Sequence, residues 1–114
     1  SVQIPDNTPA GIEQKILVDA KAGYVIQNIS LELDIVHTYI GDLVVKLVHP
    51  SGQEVILHNK QGGGTDNLSL SISSEALANF KGLSAAGKYS LVVSDHASRD
   101  TGYISALKMT VEMN

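Results

Sequence analysis

Ile29-Ser30-Leu31-Glu32-Leu33-Asp34-Ile35 decides the fold, because its apolar side chains fall at every second position with polar ones between them. Successive side chains of an extended strand point to opposite faces, so this stretch buries one face and wets the other. The same period recurs at Leu43, Val45 and Leu47, at Val55 and Leu57, and at Leu68, Leu70 and Ile72. It returns at Tyr89, Leu91 and Val93, and at Leu107, Met109, Val111 and Met113. Each segment predicts a half-buried strand, and residues 12–18 and 24–26 are weaker candidates. Residues 20–23 and His49-Pro50-Ser51-Gly52 read as turns, and residues 38–42, 61–67 and 95–102 as loops. One helical candidate, residues 74–81, has Ser73 or Ser74 as N-cap and Gly82 as its stop, enough for one or two turns. Short strands at this spacing predict an all-β fold, a jelly-roll β-sandwich of about eight antiparallel strands with at most one short helix.

Composition narrows the function. The 114 residues suit a single domain, residues 1–114, with 43% hydrophobic and 18% charged side chains. Aromatics make up only 4%, so Val, Ile and Leu must build the core. A net charge of −4, with Arg99 the sole arginine and the lysines scattered, excludes nucleic acid as a partner. No stretch is long and apolar enough to cross a membrane as a helix. There is no cysteine, so either the domain is cytosolic or it uses a staple other than a disulfide, for which a metal ion is the usual substitute. The chain opens at Ser1-Val2-Gln3-Ile4-Pro5 without a visible leader and reads as part of a longer precursor.

Strand alternation sorts the loops. If residues 24–36 run upward, the loops 37–42, 62–67 and 95–102 all fall at the upper pole, and so do the residues before Ile12. Asp6, Asp42, Asp66, Asp95 and Asp100 lie in those loops and Asp34 just below one of them, whereas the lower turns hold mainly Asp19 beside Lys21. Carboxylates gathered at one end repel unless a cation offsets them. Hard oxygen donors on Gly-bearing loops are what calcium takes, and Asp95-His96-Ala97-Ser98-Arg99-Asp100-Thr101-Gly102 is a plausible ligand loop that lacks the EF-hand spacing. Ordinary turn chemistry, which also favours Asp and Asn, is the competing explanation.

Other constellations carry little. No G-x-S-x-G elbow occurs, since Gly82-Leu83-Ser84-Ala85-Ala86 fails at its last position, and a domain this small leaves little room for a cleft. His37, His49, His58 and His96 have no zinc-binding spacing, His49 belongs to the lower turn, and His37 at a strand end suits a hydrogen bond across its loop. Gly62-Gly63-Gly64 lacks the lysine of a phosphate-binding loop and is followed by Thr65-Asp66, so its role is tight folding of the backbone.

His37-Thr38-Tyr39-Ile40-Gly41-Asp42-Leu43 is followed by Leu47-Val48-His49-Pro50-Ser51-Gly52, Leu57-His58-Asn59, Gly62-Gly63 and Asp66-Asn67. With Ile4-Pro5-Asp6-Asn7 before them, and Phe80-Lys81-Gly82, Gly87-Lys88-Tyr89-Ser90-Leu91, Ser94-Asp95 and Asp100-Thr101-Gly102 after, this order closely resembles the P domain, or Homo B domain, over essentially the whole chain. The resemblance implies a jelly roll that follows the catalytic domain in kexin- and furin-like convertases and stands at the C-terminus of many bacterial subtilisin-like and some metalloproteases. It implies a non-catalytic, calcium-binding accessory domain of a secreted bacterial serine protease, stabilising or regulating the catalytic domain of the same chain as a monomer. It makes Asp42, Asp66, Asp95 and Asp100 the first choice of calcium ligands, with Asp34 and Asp6 second. The chain departs from the family at Tyr89 and Leu107, where tryptophan is common, which implies a looser core. The alternative is a substrate-binding module, for a protein such as collagen or for a polysaccharide, with Tyr39 and Tyr103 beside the upper loops as contacts.

Overall fold

The computed structural model describes residues 2–99 and 101–114. The strands are β1 (Val2–Ile4), β2 (Thr8–Val18), β3 (Ile26–His37), β4 (Leu43–Val48), β5 (Glu54–Asn59), β6 (Leu68–Ile72), β7 (Gly87–Asp95) and β8 (Gly102–Met113). They form two four-stranded sheets, ordered β1-β8-β3-β6 and β2-β7-β4-β5, in which every pairing is antiparallel. The pairings nest: β4 with β5 innermost, then β3 with β6, β2 with β7 and β1 with β8. That winding is the jelly roll the alternation predicts.

The period-two positions face inward as expected. Ile29, Leu31, Leu33 and Ile35 of β3 pack on Leu43, Val45, Leu47, Tyr89, Leu91 and Val93 of the opposite sheet in one buried cluster. Tyr89 takes the position where tryptophan is common in the resembling family. It is fully buried and donates its hydroxyl to the Ala85 carbonyl at 2.8 Å, and its burial pushes the phenol above the ordinary tyrosine value. β1 escaped the sequence reading because three residues are too short for a period to show. The weak candidate at 24–26 contributes only Ile26 to a strand, Val25 forming an isolated bridge to Ser84.

The helix expected over residues 74–81 is a correction. The segment is a chain of turns ending in a 3-10 helix, Ala78–Phe80, held by i→i+3 bonds from Ala78 to Glu75, Phe80 to Leu77 and Lys81 to Ala78. Leu77 and Phe80 are both fully buried, and the Gly82 N–H bonds to the Ile26 carbonyl at 2.9 Å. Driving two large side chains three residues apart into the lower end of the sandwich favours the three-residue turn over 3.6. His49 closes the same end. Its Nδ1 accepts the Ser51 N–H at 3.0 Å, its Nε2 donates to the Ser84 carbonyl at 2.7 Å, and its ring meets Tyr89 edge-on at 5.2 Å.

Candidate functional site

The upper pole is where the alternation places it. The β1–β2, β3–β4, β5–β6 and β7–β8 connections all emerge there, since Ile4 pairs with Gly102, Thr8 and Leu43 with Asp95, and Val44 with Asn59. Between β3 and β4 the chain makes a second 3-10 turn, Ile40–Asp42, which the sequence had suggested only as loop.

The centre of this pole is a buried His–Asp pair. His37 is the last residue of β3 and Asp95 the last of β7, and both face inward in phase with the apolar residues before them. His37 Nε2 lies 3.1 Å from Asp95 Oδ2, and both side chains are fully buried. The Tyr39 N–H donates to His37 Nδ1 at 3.0 Å, so the ring proton sits on Nε2 and points at the carboxylate. Asp95 Oδ1 accepts the Ala97 N–H at 3.1 Å. Across its own loop His37 accepts the Tyr39 N–H, as expected, while its contact with Asp95 joins the two sheets.

Around the pair the loops are tied to one another. Ile40 N–H donates to the Thr65 carbonyl and Gly41 N–H to that of Gly63, while Asn67 N–H donates to the His37 carbonyl. His58 Nε2 donates to the Ile40 carbonyl at 3.0 Å from β5. A Cβ on Gly41 would stand 2.9 Å from the Gly63 backbone, so glycine at position 41 lets two loops touch main chain to main chain. The loop after β7 makes the remaining ties: His96 N–H donates to the Asp42 carbonyl at 2.8 Å, and Arg99 N–H to Asp6 Oδ2 at 3.2 Å. Every buried side-chain nitrogen and oxygen among the described residues has a partner.

The candidate ligands are therefore spread unequally. Asp42 and Asp95 are buried, and Asp6 and Asp66 are exposed. Asp42 and Asp6 touch the two ends of one short loop segment, 96–99. Asp34 is exposed lower on β3, opposite Ala106, and accepts the Ser69 hydroxyl at 2.6 Å. Asp100 lies outside the described residues. The donors are hard carboxylate oxygens, the type calcium prefers. Among the described residues no three His, Cys, Asp or Glu side chains gather around one point, so these alone do not complete a calcium shell. Tyr39 is exposed, its ring over Gly64, and Tyr103 is half-buried beside Val36. Ser94 Oγ lies 2.7 Å from His96 Nε2, but the adjacent Asp95 carboxylate is bonded to His37, so the three do not form a relay.

The sequence profile described as "Proprotein convertase P-domain" matches residues 26–111. The "Leupeptin-inactivating enzyme 1" of Streptomyces exfoliatus is 38% identical over 109 residues, which cover 96% of this chain and 24% of that protein. The "Calcium-dependent protease" of Trichormus variabilis is 42% identical over 94 residues, 77% of this chain and 14% of that protein. The chain thus spans a quarter or less of the curated relatives it matches. The crystal structure of the Aeromonas sobria serine protease in complex with its chaperone superposes with a TM-score of 0.72 at 17% identity, covering 96% of this chain and 24% of that one, a likeness of fold. The resemblance carried by the His37–Leu43 stretch and the winding of the sheets agree with the profile: this chain belongs to the proprotein convertase P-domain family.

Proposed function

We propose that the chain is the non-catalytic accessory domain of a secreted bacterial protease, and that its upper pole binds calcium to stabilise it against the catalytic domain of the same polypeptide. The observation that carries this reading is the convergence of the acidic loops of four connections at one end of the sandwich. A related protein bearing the words "Calcium-dependent protease" supports it, and the size of the relatives supports a larger parent, for which a serine endopeptidase is the proposed class. Asp42 and Asp6 would hold the ion together with Asp100, because the 96–99 segment links the first two. Asp66 and Asp95 are the remaining candidates at the upper pole, and Asp34 lies lower on β3, opposite Ala106. A bound cation would supply charge neutralisation and a cross-link between loops; the chain's own hydrogen bonds set the loops in place beforehand.

Thermal unfolding with calcium and with EDTA tests the proposal. A ligand that binds only the folded state at a hundredfold excess over its Kd adds about 2.7 kcal/mol, which for a domain of this size raises Tm by about 11 °C. Asp6→Asn, which keeps an acceptor for the Arg99 N–H, should reduce the calcium-dependent rise and leave the EDTA midpoint unchanged. Identical midpoints with calcium and EDTA would overturn the calcium site while leaving the family assignment intact.

A further inference from the structure

One side of β8 is open. Its other side pairs with β3 along nearly its whole length, from Gly102 opposite His37 to Met113 opposite Ile26. On the open side β1 covers only Gly102 to Ile104, and among the described residues no strand pairs with β8 beyond that point. The side chains register the gap. Leu107, Met109, Val111 and Met113 share the inner face with Leu33, Leu31, Ile29 and Ile26, their partners on β3. The β3 residues are at most 1% exposed, whereas all four on β8 are only partly buried. Across the mouth of the sandwich the edge strand β2 shows the same pattern, with Ile16 and Val18 partly buried beside buried Tyr89. Between the two edges lies a groove of about 320 Å³, lined by Val2, Gln14, Ile16, Ile104, Leu107 and Met109 among others. Gln14 turns its amide into this mouth and finds only the carbonyl of its neighbour Lys15, at 3.3 Å.

We propose that this edge is a strand-addition site, and that its occupant is the segment immediately preceding Ser1 in the parent polypeptide, running antiparallel to β8 as a continuation of β1. Three observations select that occupant. β1 already holds the first positions of the same edge in the required direction, with Val2 opposite Ile104 and Ile4 opposite Gly102. Val2 and Ile4 lie on the inner face opposite Ile104 and Gly102, and beyond the extra residue at Ser105, where β8 shifts register, a strand paired with Leu107–Met113 places every second side chain over the groove. The relatives carry three quarters or more of their length outside the region this chain matches, so their polypeptides have chain to supply. An unpaired edge presents a row of main-chain donors and acceptors, and an extended segment with apolar residues at alternate positions satisfies both that row and the half-exposed inner face. This inference rests on the family assignment and not on the calcium site.

Amide hydrogen exchange tests it, comparing the 114-residue chain with the same chain extended by about ten parent residues, enough to span 106–113 at about 3.4 Å per residue. The alternate amides of residues 106–113 that face the open side should gain at least about 100-fold protection in the extended chain. Proline at two alternate positions of the added segment should abolish that gain while the β3–β6 amides keep theirs. Equal exchange in both chains overturns the proposal. So does protection in the 114-residue chain that rises with protein concentration, which would assign the edge to a second copy, or protection that survives the prolines.

Discussion

Asp95→Asn changes one atom in the buried pair and should be among the more damaging conservative substitutions in the domain. The carboxylate accepts two donors, His37 Nε2–H on Oδ2 and Ala97 N–H on Oδ1. The His37 donor is not free to reverse, because Nδ1 is held as an acceptor by the Tyr39 N–H. An asparagine has one carbonyl oxygen and one amide nitrogen, so it meets one donor properly and sets its own N–H₂ against the other. A buried donor left without an acceptor costs about 1–3 kcal/mol, and a hydrogen bond to a charged group is worth about 1.5–3 kcal/mol. Both side chains are at 0% exposure, so water cannot relieve the conflict. We expect a loss of about 3 kcal/mol, the lower edge of what breaking a buried pair costs. With an unfolding entropy of roughly 2.1 cal/mol/K per residue this is a fall in Tm of about 12 °C. Thermal and urea unfolding in EDTA would measure it free of any metal contribution. A fall smaller than about 2 °C would refute the reasoning, since it would mean that the pair is not formed or that solvent reaches it.

Gly102→Ala should be more severe. The added Cβ would stand 2.1 Å from the Val36 carbonyl oxygen and 2.8 Å from His37 Cδ2, so β8 must move off β3; a loss of at least about 3 kcal/mol in urea unfolding is expected, and a midpoint near that of the parent chain would show that the strands are farther apart. Tyr89 gives the domain an alkaline limit. Burial raises its phenol above the ordinary value, so the unfolded chain releases that proton first and stability falls as pH rises through the ordinary value, near 10. Tyr89→Phe should flatten the Tm-against-pH curve above that point while lowering Tm modestly at neutral pH through the lost bond to Ala85, and an unchanged alkaline slope would exclude Tyr89 as its cause.

The parts of the fold legible in the sequence are those where one side chain in two must be buried. β3, β4, β6, β7 and the later part of β8 each carry a period long enough to see, and strand parity alone then gathered the acidic loops at one pole. The helix expected at 74–81 failed for a tertiary reason: Leu77 and Phe80 plug the end of the sandwich, and spacing three apart suits a 3-10 turn. The His37–Asp95 pair was missed although the same alternation contains it. His37 continues the phase of Leu31, Leu33 and Ile35, and Asp95 that of Tyr89, Leu91 and Val93, a phase that points both inward. A polar residue in an apolar phase at a strand end, matched by a complementary one 58 positions on, was the available signal. What no local pattern could supply is the meeting of the two strand ends across the two sheets.

The position of β8 has a consequence for how the domain comes into being. It is the last strand in sequence, yet it lies between β1 and β3, and its pairing with β1 joins Val2 to Ile104. A nascent chain can close the β4–β5 hairpin early, but the first sheet has no centre until residues 102–113 leave the ribosome. Such distant pairing makes for slow folding, with unpaired strand edges open to wrong partners meanwhile. Trimming β1 removes a margin; trimming the other end of the chain takes out the middle of a sheet.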